Sequence, residues 1–91
     1  MNKFKDIKIG VVGCGYWATN IIKSLEEENF KNVYAFDFDK KKLINAKSKF
    51  FFLKVCNSLK ELLSKNLDCA LLVTPTSTHY SLGKAILKKN I

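Results

Sequence analysis

The sequence predicts an α/β protein, a doubly wound parallel sheet of the Rossmann type with the strand order 3-2-1-4. Four short apolar segments alternate with amphipathic segments along the 91 residues, and this alternation is typical of right-handed β-α-β units. A glycine-rich turn, Gly13-Cys14-Gly15, directly follows the first apolar segment. The fourth apolar segment, residues 68–73, is apolar on both faces, as expected of a strand inside a parallel sheet.

The first half of the chain predicts strand, helix and strand. Residues 8–12 are expected to form the first strand. Residues 16–28 are expected to form a helix, because their apolar side chains recur at helical spacing. Asn29 is expected to end that helix, since asparagine tolerates the left-handed conformation found after helix ends. Residues 33–38 are rich in β-branched and aromatic side chains and predict the second strand.

The second half repeats the alternation. Asp39 is expected to cap a second helix, and the apolar run at residues 50–55 predicts a third strand. Ser58 and Glu61 have the spacing of a capping box and predict a short third helix. The fourth strand, residues 68–73, is then followed by a polar loop and a last helix.

Length and charge restrict the class of protein. A chain of 91 residues fits one domain, so residues 1–91 are assigned to a single unit. The net charge is +8, but every basic residue is a lysine and the lysines are spread along the chain. Direct readout of bases favours arginine, so solvated helix faces are the preferred interpretation and no nucleic-acid partner is expected. With no apolar run near ~20 residues and no signal peptide, no membrane partner is expected, and a cytoplasmic location is predicted.

The three cysteines form no CxxC pair, so the sequence predicts neither a disulfide framework nor a metal site. Cys14 is interpreted as a spacer between two glycines. A reactive thiol is the alternative, because helix N-termini lower the pKa of a thiol.

The glycine turn has the pattern of a dinucleotide-binding loop. Gly13 allows the chain to leave the strand sharply, and Gly15 has no side chain to keep a pyrophosphate from the backbone. Ala18 is small enough for the helix to pack on the strand. The backbone N–H groups near Tyr16 and Trp17 then lie at a helix N-terminus, where they can bind phosphate.

Asp37 closes the second predicted strand, where a carboxylate can bind the adenosine ribose hydroxyls and repel a 2′-phosphate. The three lysines at residues 40–42 can neutralise a 2′-phosphate, but they are interpreted as the exposed first turn of a helix, with Lys42 expected near the adenine. NAD is therefore the predicted cofactor, with NADP left open. A turn that binds nothing, with Asp37 solvated, is the alternative.

Polar residues follow the fourth strand, at Thr74-Pro75-Thr76-Ser77-Thr78-His79. In the predicted strand order this loop lies beside the glycine turn, so it can contact the ribose on the nicotinamide side. Ser77 or Thr78 can instead simply cap the last helix. His79 has no carboxylate near it in the sequence, so no catalytic role is assigned to it.

The run at residues 9–17 and the loop at residues 74–79 together resemble the Gfo/Idh/MocA oxidoreductases. The resemblance implies NAD(P)-dependent hydride transfer at a carbon of a sugar, a nucleotide sugar or a cyclitol, by a homo-oligomer. It also implies cofactor contacts by position: Gly13, Gly15, Tyr16 and Trp17 at the pyrophosphate, Asp37 at the adenosine ribose, and Thr74, Pro75, Thr76 and His79 at the nicotinamide end.

The family's catalytic Glu-Lys-Pro motif, fifth strand and C-terminal substrate domain are expected after Ile91. The chain is therefore interpreted as an N-terminal part that binds nucleotide without turnover and holds no catalytic residue. Its open fourth strand is expected to self-associate. Two other functions stay open from the residues alone: an S-adenosylmethionine-dependent methyltransferase domain and a non-catalytic nucleotide-sensing module.

Overall fold

Four parallel strands form one sheet in the order β3-β2-β1-β4, as seen in a computed structural model that describes residues 6–73. The predicted strand order and the Rossmann-type fold class are confirmed. The predicted polar loop and last helix lie outside the described residues. The strands are β1 (Lys8–Val12), β2 (Asn32–Phe36), β3 (Lys54–Val55) and β4 (Cys69–Leu72), and the helices are α1 (Tyr16–Glu27), α2 (Lys40–Lys49) and α3 (Leu59–Leu63).

The register places β1 at the centre of the sheet. Val11 pairs with Ala35 of β2 on one side and with Leu71 of β4 on the other. The chain passes from β1 to β2 in one direction, and β4 lies on the opposite side of β1. The carboxyl end of β1 is therefore the point at which the strand order reverses, and ligands of open α/β sheets bind at such a point.

Apolar side chains on both faces of the sheet hold the helices in place. Val11 and Ile22 are fully buried in one cluster, to which α1 and α2 contribute. Val12 and Leu62 are fully buried in a second cluster, to which α3 contributes. Full burial of a side chain such as that of Ile22 contributes about 1.5–3 kcal/mol. Because successive residues of β1 point to opposite faces of the sheet, this one strand contacts both the cluster with α1 and α2 and the cluster with α3.

The residues predicted to stand at the helix termini are confirmed in those positions. Asn29 has a φ of 65°, the left-handed conformation expected after α1. The Asp39 side chain accepts a hydrogen bond from the Lys41 N–H at 3.0 Å and so caps α2. At α3, Ser58 Oγ accepts the Glu61 N–H at 3.0 Å. The Glu61 carboxylate reaches back to the N–H of Asn57, which completes the capping arrangement.

The third strand is much shorter than predicted. Only Lys54–Val55 pairs with β2, whereas residues 50–55 were expected to be extended. Phe50 is the C-cap of α2, and its N–H donates to the Ala46 carbonyl. The Leu53 N–H donates to the Phe50 carbonyl and closes a turn. Phe50 and Leu53 are thus buried from a helix end and a turn, which an apolar run in the sequence does not distinguish from a strand.

The other predicted boundaries are displaced by one or two residues. The first helix ends at Glu27, the second strand spans Asn32–Phe36, and the fourth spans Cys69–Leu72. None of the three helices within residues 6–73 has the length and apolarity that a bilayer crossing requires.

Candidate functional site

The turn after β1 begins with a residue that must be glycine. Gly13 has a φ of 110°, in a region of backbone conformation that a side chain disfavours. Its N–H donates a 2.8 Å hydrogen bond to the Phe36 carbonyl at the end of β2. The backbone of the turn is thereby fixed against the end of the neighbouring strand, and the sharp exit predicted from the sequence is present.

The start of α1 is open. Gly15 is the N-cap of α1, and a Cβ atom built on it meets no atom within 4 Å. No side chain caps the helix, and its first turn carries no acidic residue. The first N–H groups of a helix lack partners inside the helix and carry a partial positive charge. This end of α1 therefore presents hydrogen-bond donors to any anionic group that lies over Gly15.

The helix that carries these donors packs tightly on the sheet. Ala18, in the third position of the glycine motif, is fully buried in the same cluster as Val11 and Ile22. A small residue at this position lets α1 lie close to β1, as the motif requires. The N-terminus of α1 is thus held by its own core contacts and needs no ligand to position it.

Two aromatic side chains stand at the start of α1. Tyr16 and Trp17 are both largely exposed, and their rings meet edge to face at a centroid distance of 5.5 Å. Aromatic surface beside an open helix end suits a ligand that has both apolar and charged parts.

The Asp37 carboxylate is fixed by two backbone groups. Its Oδ2 atom accepts the Cys14 N–H at 2.7 Å, and its Oδ1 atom accepts the Asp39 N–H at 2.7 Å. The carboxylate therefore lies at the glycine turn and at the start of α2 simultaneously. Each carboxylate oxygen has two acceptor sites, so both oxygens can still accept a hydrogen bond from a ligand hydroxyl. The sequence placed this acid at the strand end, but the two backbone bonds carry no sequence signal.

Cys14 is a buried, neutral thiol. Its burial, followed by the nearby Asp37 carboxylate, raises its pKa from 9.0 to about 12. This direction runs against the alternative of a reactive thiol, because a thiol with a raised pKa stays protonated at neutral pH. The spacer interpretation fits the structure.

The remaining predicted site residues are only partly described. Lys42 is exposed on the first turn of α2, as are Lys40 and Lys41. Lys40 also lines a cleft together with Asp37 and Phe38. The four predicted residues of the loop after β4 lie outside the described residues: Thr74, Pro75, Thr76 and His79.

The described residues fit a dinucleotide. The open backbone above Gly15 and the donors of α1 suit a diphosphate, and the fixed Asp37 carboxylate suits a vicinal diol. These two features meet at Cys14, whose N–H joins the glycine turn to Asp37. Within residues 6–73, no group of three or more histidine, cysteine or acidic side chains can hold a metal ion.

Comparisons with known proteins agree with this geometry. Residues 7–91 match the family model GFO_IDH_MocA, described as an oxidoreductase family with an NAD-binding Rossmann fold. No curated protein sequence matches the chain. The chain is similar to the crystal structure of the WlbA dehydrogenase from Bordetella pertussis in complex with NADH and UDP-GlcNAcA, with a TM-score of 0.76 and 23% identity. The match covers 92% of this chain and 26% of WlbA, so the chain spans about a quarter of that protein, and the likeness shows the fold.

Proposed function

The chain belongs to the GFO_IDH_MocA oxidoreductase family as an NAD-binding Rossmann domain, and from that premise we propose which of its residues bind the cofactor. The backbone of Gly13, Gly15, Tyr16 and Trp17 binds the pyrophosphate at the N-terminus of α1. Asp37 binds the hydroxyls of the adenosine ribose. The observation that carries this assignment is the 2.7 Å bond from the Cys14 N–H to Asp37, because it holds the diol-binding carboxylate at the phosphate-binding turn.

The same carboxylate selects NAD over NADP. A 2′-phosphate on the adenosine ribose would lie against Asp37 and be repelled by it. Lys40, Lys41 and Lys42 are exposed to solvent, which screens their attraction for a phosphate. Lys42 is assigned to the adenine side of the site, as a contact of secondary importance.

The nicotinamide ring of bound NAD supplies the chemistry, since it accepts or donates a hydride. Thr74, Pro75, Thr76 and His79 are assigned to its end of the cofactor. This chain's own task is to bind and orient NAD. The substrate of the whole enzyme is a sugar, a nucleotide sugar or a cyclitol, and the UDP-GlcNAcA in the WlbA structure supports a nucleotide sugar.

The enzyme is further inferred to act as a homo-oligomer in the cytoplasm. The free state of Cys14, Cys56 and Cys69 supports that location, because cytosolic thiols are kept reduced. Sedimentation of the whole enzyme at several concentrations tests the oligomer.

Calorimetric titration of the chain with NAD, NADP and S-adenosylmethionine tests the assignment. Asp37→Asn removes the charge and turns an amide toward one backbone donor. Loss of a hydrogen bond to a charged group costs about 1.5–3 kcal/mol, so NAD affinity is expected to fall about tenfold or more. The preference for NAD over NADP is expected to shrink as well. S-adenosylmethionine is expected not to bind, which separates the dehydrogenase from the methyltransferase alternative.

Asp39→Asn is the matched control, because it removes an equal charge two residues away. Asn and Asp cap helices about equally well, so α2 is preserved in this variant. Its NAD affinity is expected to stay within about twofold of the wild type. Circular dichroism shows that both variants are folded. An Asp37→Asn chain that binds NAD like the wild type, or a wild type that prefers NADP, would contradict the assignment.

A further inference from the structure

A cleft of about 640 Å³ lies beside α2, at the β3 edge of the sheet. Six large apolar side chains are exposed within residues 6–73, and four of them line this cleft. The other two are the aromatic pair at the start of α1. Single exposed apolar residues are normal, but a contiguous group of them marks a binding surface. We name this surface the α2 groove and define it by Phe38, Ile44, Phe51 and Val55, which are 64%, 69%, 84% and 36% exposed.

The α2 wall of the groove is a helical stripe. Its residues follow the spacing i, i+3, i+4, i+7 and i+8, which places them on one face of the helix. The stripe runs the length of a ten-residue helix, about 15 Å. A groove of this length beside a sheet edge has the dimensions of a binding site for a helix of about three turns. The stripe consists of Lys40, Leu43, Ile44, Lys47 and Ser48.

The rim of the groove is positively charged. Lys47 Nζ donates to the Phe51 and Leu53 carbonyls at 2.7 Å each, which holds its ammonium group at the groove. No carboxylate within residues 6–73 forms an ion pair with Lys47 or with Lys40. The one acidic residue in the lining is Asp37, so two lysines face one carboxylate and the lining as a whole carries a positive charge. An occupant with acidic side chains therefore complements this surface.

Residues 6–73 of a second copy do not supply such an occupant. Each copy carries a net charge of +8, so two groove surfaces repel one another. The acidic residues Glu26 and Glu27 lie on α1, but the apolar side chains of that helix, Ala18 and Ile22, are buried against its own sheet. Within the described residues, no acidic helix has a free apolar face. The concave shape of the groove also suits a helix better than a flat bilayer surface.

We propose that the α2 groove docks an acidic amphipathic helix of a separate partner protein. The apolar side chains of that helix pack against Ile44 and Phe51. Its carboxylates lie near Lys47, about two helical turns along α2 from Lys40 and the Asp37 end of the groove. The surface does not depend on the cofactor contacts assigned above, except that Asp37 lies at one end of it.

A designed peptide tests the proposal. The probe is a fluorescein-labelled helix with leucines at i, i+3, i+4 and i+7 and glutamates on its flanks, titrated with the full chain and followed by anisotropy. Ile44→Asp is expected to weaken binding at least about tenfold, because it places a charge among apolar contacts. Asn45→Asp is the matched control: it adds the same charge one residue along α2, at an exposed position outside the groove. Its affinity is expected to stay within about twofold, since a single exposed charge contributes little.

Each outcome decides for or against the docking surface. Binding of the probe, its loss on Ile44→Asp and Phe51→Ser, and its loss when the peptide's leucines become serines support the proposal. The proposal is overturned if the probe does not bind. It is also overturned if Asn45→Asp weakens binding as much as Ile44→Asp does, because the attraction would then be a diffuse effect of charge. Displacement of the peptide by NAD overturns it by assigning the groove to the cofactor. Tighter binding to phosphatidylserine vesicles than to the peptide, or dimerisation of the chain that Ile44→Asp abolishes, overturns it in favour of a membrane or of a second copy. Circular dichroism confirms that each variant is folded.

Discussion

Replacing Asp37 by alanine removes a brace between the glycine turn and α2. The carboxylate accepts N–H groups from Cys14 and from Asp39, both at 2.7 Å. Cys14 is buried, so its N–H has poor access to water once the acceptor is gone. A buried donor left without a partner costs about 1–3 kcal/mol, whereas the exposed Asp39 N–H can bond to water at little cost. We expect Asp37→Ala to lower the free energy of unfolding by about 2 kcal/mol.

Asp68→Ala is the matched control for this prediction. Asp68 accepts the Lys8 N–H at 2.8 Å, but that bond is exposed, so water replaces it in the variant. The expected loss is below about 1 kcal/mol. Urea unfolding in the absence of cofactor measures both free energies, and a loss of about 2 kcal/mol also lowers the Tm by about 8–16 °C in a domain of this size. Equal losses in the two variants, or an Asp37→Ala chain as stable as the wild type, would refute the brace.

Two further predictions concern β1 and the turn. Gly10→Ala is expected to lower the free energy of unfolding by about 1–3 kcal/mol, because the new Cβ runs into Cδ1 of the buried Leu67. Urea unfolding measures this against Gly15→Ala, whose Cβ meets nothing within 4 Å, and equal stabilities of the two would contradict it. For Cys14, the unfolded thiol loses its proton near pH 9 while the folded thiol, with a pKa of about 12, keeps it. Stability that is present below pH 9 is therefore lost as the pH rises toward 12, by about 1.4 kcal/mol per pH unit. Unfolding of the wild type and of Cys14→Ala at pH 8 and pH 10 isolates this effect, and a parallel fall in both would disprove it.

Local features of the fold could be predicted because they depend on short stretches of chain. The oxygens of Asp39 and Ser58 reach N–H groups two or three residues ahead, whatever the rest of the fold does. The left-handed Asn29 ends α1 for a similarly local reason. The strand order could be predicted because a glycine turn after the first strand, together with the alternation of strands and helices, is typical of the dinucleotide-binding fold, whose order is 3-2-1-4.

The third strand and the α2 groove could not be predicted, because both depend on tertiary placement. The apolar run at residues 50–55 has the composition of a strand, yet Phe50 and Leu53 are buried by packing under a helix end and a turn. Phe51 lies between them and is the most exposed of the large apolar residues in the described part of the chain. Composition indicates that burial of such side chains is favourable, but it does not indicate which of them the fold leaves exposed to solvent.

The brace also supports the proposal that Asp37, and not the lysines after β2, decides between NAD and NADP. A side chain free to rotate could turn away from a 2′-phosphate and let neighbouring lysines bind it. The Asp37 carboxylate has no such freedom, because a backbone N–H holds each of its oxygens. Any phosphate that Lys40 attracts must still lie beside this fixed negative charge. We therefore propose that selectivity for NAD rests on how the backbone holds Asp37, and we expect lysine substitutions alone to leave that selectivity in place.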